Sequence, residues 1–136
     1  MIRNIHTGVV LGCCYFFVLI ALVTGTLALT LGLGLVPDAQ VVEASVDNEF
    51  RFFSVFWLGY GGLCFWVAQD LRARGGFVPA LALVMFIGGV ARALSFALVG
   101  EPNSTYVSGM LAELVIPPIW VFSYWRLRAW HGLHSP

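Results

Sequence analysis

The sequence contains no lysine and has few charged residues of any kind. Its seven arginines balance seven acidic residues, so charged residues make up 10% of the 136 and the formal net charge is zero. A soluble domain carries about 25% charged residues, so this chain has too few polar groups to cover a surface that faces water. A basic face is also missing, which excludes general nucleic-acid binding. The three cysteines lie inside apolar runs, and an odd number of them gives no disulfide framework.

Long apolar runs are what the sequence has instead, since 60% of its residues are hydrophobic. A helix needs about 20 apolar residues to cross a bilayer. Four runs predict membrane spans over residues 8–36, 51–69, 77–100 and 107–125. Because backbone polar groups in lipid must bond within the chain, we predict an all-α, single-domain, four-helix transmembrane bundle over residues 1–136. The first run is about twice the length of a signal peptide's apolar region, so we expect it to remain as a span.

The arginines also predict how the chain crosses the membrane. Five of them precede span one, connect spans two and three, or follow span four: Arg3, Arg72, Arg74, Arg126 and Arg128. All five lie on one side of the predicted membrane, and the positive-inside rule makes that side cytoplasmic. Both termini are therefore expected inside, with a 14-residue loop, Pro37–Phe50, facing outward between spans one and two.

The end of this loop has two interpretations. Val42, Val46 and Phe50 recur at helical spacing beside acidic residues, which is typical of a short interfacial helix. Alternatively, Asp47 is the N-cap of span two, since aspartate is favoured at that position and its charge suits the helix dipole. We prefer the N-cap interpretation.

Small residues predict close contacts between helices. Span one carries them on one helical face, at intervals of four, three and four: Ala21, Gly25, Ala28 and Gly32. Glycines in spans two and three provide further contact points: Gly59, Gly62, Gly88 and Gly89. In lipid, faces of this kind let two helices approach closely.

Three charged residues lie within predicted spans or at their edge. At about 1.5 Å per residue, Arg92 and Glu113 are about 12 Å and about 9 Å below the outward ends of spans three and four, and Arg51 begins span two. An unpaired charge at the centre of a spanning helix costs about 2.5–3.5 kcal/mol on insertion scales. We therefore predict that Arg92 pairs with Glu113, and that Asp47 pairs with Arg51 at i, i+4 spacing.

Two consecutive prolines follow Glu113 in span four. Pro117 and Pro118 have no N–H to bond the carbonyls of Glu113 and Leu114, so two acceptors stay free and the helix is expected to kink. Irregular backbone at this depth is tolerated where it faces protein or a wet cavity. These features predict an outward-facing polar pocket.

The predicted pocket combines ligand-binding and supporting residues. The ligand-binding candidates are Arg51, Arg92, Glu113, Ser95, Tyr106 and Trp120. The supporting candidates are Asp47, Glu49, Gly88, Gly89, Pro117 and Pro118. A second interpretation stays open, in which the Arg92–Glu113 pair is a structural clamp that fixes the register of the helices. If the site is catalytic, Glu113 is the candidate group, although no nucleophile, metal set or cofactor motif accompanies it.

We expect no metal and no cofactor. His131 and His134 lie in the tail without a third ligand. No histidine lies in the middle of a span, which argues against a haem held between the helices.

Four segments taken together resemble a known family. They are Asp47–Phe52 (DNEFRF), Gly88–Ser95 (GGVARALS), Gly100–Pro102 (GEP) and Glu113–Pro118 (ELVIPP). The pattern is similar to that of domain-of-unknown-function family 4345, a family of small bacterial membrane proteins, and it covers about residues 8–128. Ala91 stands where the family pattern has glycine before the arginine. The resemblance implies a four-span bundle in the bacterial inner membrane in which the outward arginines and the span-four glutamate matter. It implies no reaction.

Three functions remain open. The first is binding of a hydrophobic or amphipathic small molecule, such as a lipid, isoprenoid or quinone, in the outward pocket. The second is an accessory subunit of a larger membrane complex or a homo-oligomer, which suits the small-residue faces. The third is a small proton-coupled transporter, although span one lacks the carboxylate that small four-span exporters use. Membrane lipid is the expected partner, and nucleic acid is not.

Overall fold

The computed structural model describes residues 2–36 and 43–132, without the side chains of residues 2, 3 and 130–132. Regular structure in this part of the chain is helical: α1 (Ile2–Leu31), α2 (Ala44–Gln69), α3 (Leu71–Arg74), α4 (Val78–Val99) and α5 (Ser104–Gly132), with 3-10 turns at Gly32–Leu35 and Gly75–Phe77. Four stretches are long and apolar enough to cross a membrane: Asn4–Leu35, Ala44–Gln69, Leu71–Val99 and Ser104–Ala129. The predicted all-α class is therefore confirmed, and so are four long apolar helices that could span a membrane.

Some of the residues named from the sequence lie outside the described part of the chain. They are residues 37–42 of the predicted outward loop, which include Val42, and the tail residue His134. The side chains of Arg3 and His131 are also outside it.

The chain divides into two compact units, one formed by residues 14–69 and the other by residues 1–13 together with residues 70–136. In the first unit, the later part of α1 lies antiparallel to α2. The rings of Phe17 and Tyr60 meet edge to face with centroids 5.8 Å apart, and Trp57 Nε1 donates to Thr24 Oγ1 at 2.8 Å. All members of the predicted small-residue face of α1 are buried: Ala21, Gly25, Ala28 and Gly32.

The glycine of α2 that permits this approach is Gly61, and the prediction of Gly59 and Gly62 was wrong. A Cβ atom on Gly61 would lie 2.7 Å from Ala21 Cβ. Gly59 and Gly62 are exposed, with open space around the position of a Cβ. The three glycines lie within about one helical turn, so only the register of α1 against α2 decides which of them faces the partner helix.

An ion pair from α2 closes the end of α1. Asp47 Oδ2 accepts from Arg51 Nε at 2.7 Å, which confirms the predicted i, i+4 pair. Arg51 Nη1 donates to the carbonyls of Leu29 at 2.7 Å and Thr30 at 3.0 Å, and Asp47 Oδ1 accepts the N–H of Leu33 at 2.7 Å. Carbonyls in the last turn of a helix have no partner within that helix. The pair therefore satisfies backbone groups that hydrocarbon could not.

The N-cap interpretation of Asp47 was wrong. Helix α2 begins at Ala44, so Asp47 lies in its first turn, and residues 44–50 of the predicted loop are helical. The carboxylate contacts the end of α1 rather than the start of its own helix. Such a contact depends on how the two helices meet, which a local sequence pattern does not reveal.

In the second unit, α4 lies antiparallel to α5. Asn103 caps the start of α5, because its Oδ1 accepts the N–H of Thr105 at 3.1 Å. At the opposite end of the pair, a Cβ on Gly75 would lie 3.1 Å from Tyr124 Cε2, so the turn that leads into α4 lies directly against α5. The buried residues of α4 recur at helical spacing: Val78, Leu81, Ala82, Met85 and Gly89.

We expect the Gly32→Ala substitution to destabilise the end of α1. Gly32 has a φ of +58°, in the left-handed region that costs other residues about 1–2 kcal/mol, and a Cβ there would collide with the Asp47 carboxylate and the Arg51 guanidinium. Denaturant unfolding in detergent should show that the free energy of unfolding falls by at least about 1–2 kcal/mol. Gly34→Ala is the matched control, because it lies in the same turn with nothing near its Cβ position. An equal fall in the free energy of unfolding of both variants would contradict the packing of Asp47 and Arg51 against the end of α1.

Gly61→Ala should weaken the contact between α1 and α2, whereas Gly62→Ala should not. The added methyl group on Gly61 would overlap Ala21, and overpacking of this kind costs about 1–3 kcal/mol. The neighbouring Gly62 has open space around it. Unfolding midpoints of the two variants in the same detergent provide the measurement. A similar midpoint for both would mean that α1 and α2 do not meet in this register.

Candidate functional site

Arg92 of α4 and Glu113 of α5 form the ion pair that the sequence predicts. Arg92 Nε donates to Glu113 Oε2 at 2.8 Å. The two side chains differ in exposure, since 12% of Glu113 is accessible against 45% of Arg92. The carboxylate therefore lies within the contact between the helices, while the guanidinium reaches its surface.

Two glycines of α4 make room for this carboxylate. A Cβ on Gly88 would lie 3.7 Å from Glu113 Oε2, and one on Gly89 would lie 3.0 Å from both Glu113 Cβ and the Leu114 side chain. Both glycines precede Arg92 by about one helical turn, so they share a face with it. The segment GGVAR thus places backbone space and a cation side by side.

Tyr106 covers the guanidinium on another side. Arg92 Cζ lies 5.9 Å from the centroid of the Tyr106 ring, within the distance of a cation–π contact. Tyr106 and Glu113 are two turns apart on α5, so one face of that helix provides both contacts. Among the described residues, Arg92 makes no hydrogen bond besides the one to Glu113.

The other pocket candidates in this unit have different surroundings. Trp120 is fully buried and lies about 10 Å along α5 from Glu113, so it is a core residue of the unit. Ser95 is exposed one turn after Arg92. Pro117 is buried and Pro118 exposed. Helix α5 continues through both prolines, and the kink stays a prediction.

Arg51, Asp47 and Glu49 belong to the first unit. Arg51 and Asp47 bond backbone groups at the end of α1, and Glu49 is exposed on α2. The sequence analysis did not predict that Arg51 and Asp47 bond backbone groups at the end of α1. Gly32 was the signal that could have revealed it, because a glycine just after a helical run is typical of a helix C-terminus.

An open apolar groove of about 350 Å³ lies between α4 and α5. It is lined by Pro79, Ala82, Leu83 and Phe86 of α4 and by Pro117, Pro118 and Val121 of α5. Neither Arg92 nor Glu113 lines it, so this groove is not the polar pocket predicted from the sequence. That pocket stays a prediction.

A family model described as "Domain of unknown function (DUF4345)" matches residues 10–124. The chain belongs to the DUF4345 family. The matched region of this DUF4345 member contains both ion pairs, Asp47–Arg51 and Arg92–Glu113. Comparisons with curated proteins and with solved structures gave no match. The sequence resemblance is confirmed, and the family description assigns no activity.

Removing either partner of the Arg92–Glu113 pair should destabilise the protein more than removing both. Arg92→Gln leaves a mostly buried carboxylate unpaired, and Glu113→Gln leaves the cation unpaired within a spanning helix. Unfolding free energies in bicelles of the two single variants and the double variant should give a coupling of about 0.5–3 kcal/mol. Glu101→Gln, at an exposed position between α4 and α5, is the control and should change little. Strictly additive losses would mean that the two side chains do not interact.

Proposed function

We propose that this four-span protein binds the polar head of a hydrophobic or amphipathic small molecule at the Arg92 guanidinium. The proposal rests on the pairing and the exposure of this cation. It has an ion pair through Nε alone, and 45% of its side chain remains accessible within a helix long and apolar enough to span a membrane.

The remaining N–H groups of Arg92 need acceptors. Guanidinium carries five N–H donors, and a donor left without a partner in hydrocarbon is costly. Glu113 compensates the charge, but its carboxylate is almost covered and bonds one nitrogen. A head group with phosphate, carboxylate or carbonyl oxygens supplies the missing acceptors at the accessible edge of the guanidinium.

The surface around Arg92 favours an apolar tail behind that head. Phe96 and Val99 lie one and two turns after Arg92 on the same face of α4, and they are 36% and 86% exposed. Arg92 is about 10 Å from the end of α4 at Val99, at about 1.5 Å per residue. A molecule with its head at Arg92 would therefore keep its tail beside apolar side chains of the spanning helix.

Glu113 acts in this proposal as the residue that holds the guanidinium. It lies against Gly88 and Gly89, which leaves it little access to a ligand. Arg51 is not included in the proposed site, because its guanidinium bonds carbonyls at the end of α1. Ser95 is exposed one turn from Arg92 and is the neighbouring polar group that a head could also contact.

We infer the side of the membrane from the arginines rather than from the fold. Arg3, Arg72, Arg74, Arg126 and Arg128 all precede or follow spans on one side. The positive-inside rule makes this side cytoplasmic, with both termini inside. The Arg92 site then opens to the outward half of what we propose is a bacterial inner membrane.

Mass spectrometry of molecules that co-purify with the protein tests the proposed site. The parent protein, Arg92→Gln and the Arg92→Gln/Glu113→Gln double variant are extracted in the same mild detergent. We expect a molecule retained by the parent to be reduced at least about tenfold in both variants, since loss of a charge-assisted hydrogen bond costs about 1.5–3 kcal/mol. The double variant removes the whole pair, so it keeps the net charge of the chain.

Two comparisons make the outcome decisive. Arg126→Gln removes an exposed arginine far along α5 and should leave the retained molecule in place. Equal retention by all four proteins, or a parent that retains nothing, would refute the proposed site. Thermal unfolding of each variant ensures that a loss of ligand is compared among folded proteins.

A further inference from the structure

We infer that the molecule bound at Arg92 has an uncharged head whose acceptor is a carbonyl oxygen, rather than a phosphate or a carboxylate. The inference rests on the proposed function, because it names the class of head that the same guanidinium takes. It is drawn from the groups that already surround this cation, which are the Glu113 carboxylate and the Tyr106 ring.

The charge of Arg92 is already compensated by Glu113. Arg92 Nε donates to Glu113 Oε2 at 2.8 Å, and 12% of the Glu113 side chain is accessible, so little water reaches the carboxylate to screen it. Coulomb energy falls only as the reciprocal of distance. An anion at the free N–H groups would be attracted by the guanidinium and repelled by a carboxylate slightly farther away. The pair therefore attracts an added anion much less than an isolated arginine would.

The Tyr106 ring reduces this attraction further. Arg92 Cζ lies over the ring, 5.9 Å from its centroid. The face of an aromatic ring carries the negative part of its quadrupole, which is why it attracts a cation. Tyr106 thus stabilises the guanidinium where it lies and adds negative potential at the same place.

No second cation compensates for these groups among the described side chains of the α4–α5 unit. Arg126 is about 20 Å from Glu113 along α5, and the arginines of α3 precede the start of α4, about 20 Å from Arg92, at about 1.5 Å per residue. Glu101 lies just beyond the end of α4 that is nearer to Arg92 and is negative. In the other unit, Arg51 is itself paired with Asp47. An anionic head would therefore enter a site without net positive charge.

A neutral carbonyl group suits this site better than an anion. Its oxygen has two lone pairs for the free N–H groups of Arg92, and hydrogen bonds from a charged donor are stronger than those between neutral groups. Moving a neutral polar group away from water costs far less than moving an ion. Ser95 is exposed one turn after Arg92, and its hydroxyl can donate to the same oxygen. The polar groups around the head are thus donors, which an acceptor without charge satisfies.

Native mass spectrometry of the full chain in detergent tests the charge of the head with two probes that share one tail, hexadecyl acetate and hexadecyl phosphate. The first has a neutral ester carbonyl, and the second is an anion at neutral pH. Binding at Arg92 is the adduct that the parent forms and Arg92→Gln does not, so adducts at other arginines cancel. We expect this Arg92-dependent affinity to be at least about tenfold higher for hexadecyl acetate.

Glu113→Gln should reverse the order of the two probes. Glutamine keeps the shape of the side chain and removes its negative charge, so the guanidinium is no longer compensated and should prefer hexadecyl phosphate by at least about tenfold. Glu101→Gln is the matched control, because it removes an exposed carboxylate that does not bond Arg92. It should keep the parent's order. Unfolding midpoints show which variants are folded, and the Arg92→Gln/Glu113→Gln double variant replaces Arg92→Gln as the reference if the single variant is not.

The outcomes separate this inference from the proposed function. An Arg92-dependent affinity for hexadecyl phosphate that equals or exceeds that for hexadecyl acetate would overturn the inference and leave the proposed function standing. The same order of probes in the parent and in folded Glu113→Gln would also overturn it. If neither probe binds at Arg92 while Arg92→Gln still loses the co-purified molecule, the inference alone fails. If Arg92→Gln retains that molecule, the proposed function fails as well.

Discussion

Hydrocarbon gives no hydrogen bonds and little charge screening, and this constraint explains the placement of the polar groups in both units. In the described part of the chain, the spanning helices of each unit carry an arginine–carboxylate pair. In the first unit, the pair also bonds backbone groups at the end of α1. In the second, the carboxylate is covered and the guanidinium stays accessible. The same chemical pairing therefore closes a helix end in one place and leaves donors available in the other.

Glycine determines where these pairs can form. The left-handed backbone of Gly32 turns the chain away from α1, and its missing Cβ leaves space for Asp47 and Arg51. The missing Cβ atoms of Gly88 and Gly89 likewise leave space for Glu113. In a membrane, association of helices depends on close approach more than on the hydrophobic effect. Space for the backbone and space for a charge are thus created by the same residues.

The exposure of Arg92 bears on both interpretations that the sequence left open for this residue. A structural clamp needs both partners, and the Arg92–Glu113 pair joins α4 to α5 through a 2.8 Å hydrogen bond. Binding needs donors beyond those that the clamp uses, and the exposed guanidinium has them. The two roles are therefore compatible, because Glu113 can hold the guanidinium in place while its other N–H groups stay accessible to the ligand that we propose.

The sequence alone was sufficient for the features that depend on local composition and spacing. Long apolar runs determine the spans, the i, i+4 spacing determines Asp47–Arg51, and matching depth pointed to Arg92–Glu113. Tertiary structure decided the features that depend on helix register. It selected Gly61 over Gly59 and Gly62, and directed Asp47 to Leu33 rather than to its own helix. It also made Trp120 a core residue. Several candidate residues lie within one turn of a helix, and only the rotation and translation of the partner helix determine which of them is covered.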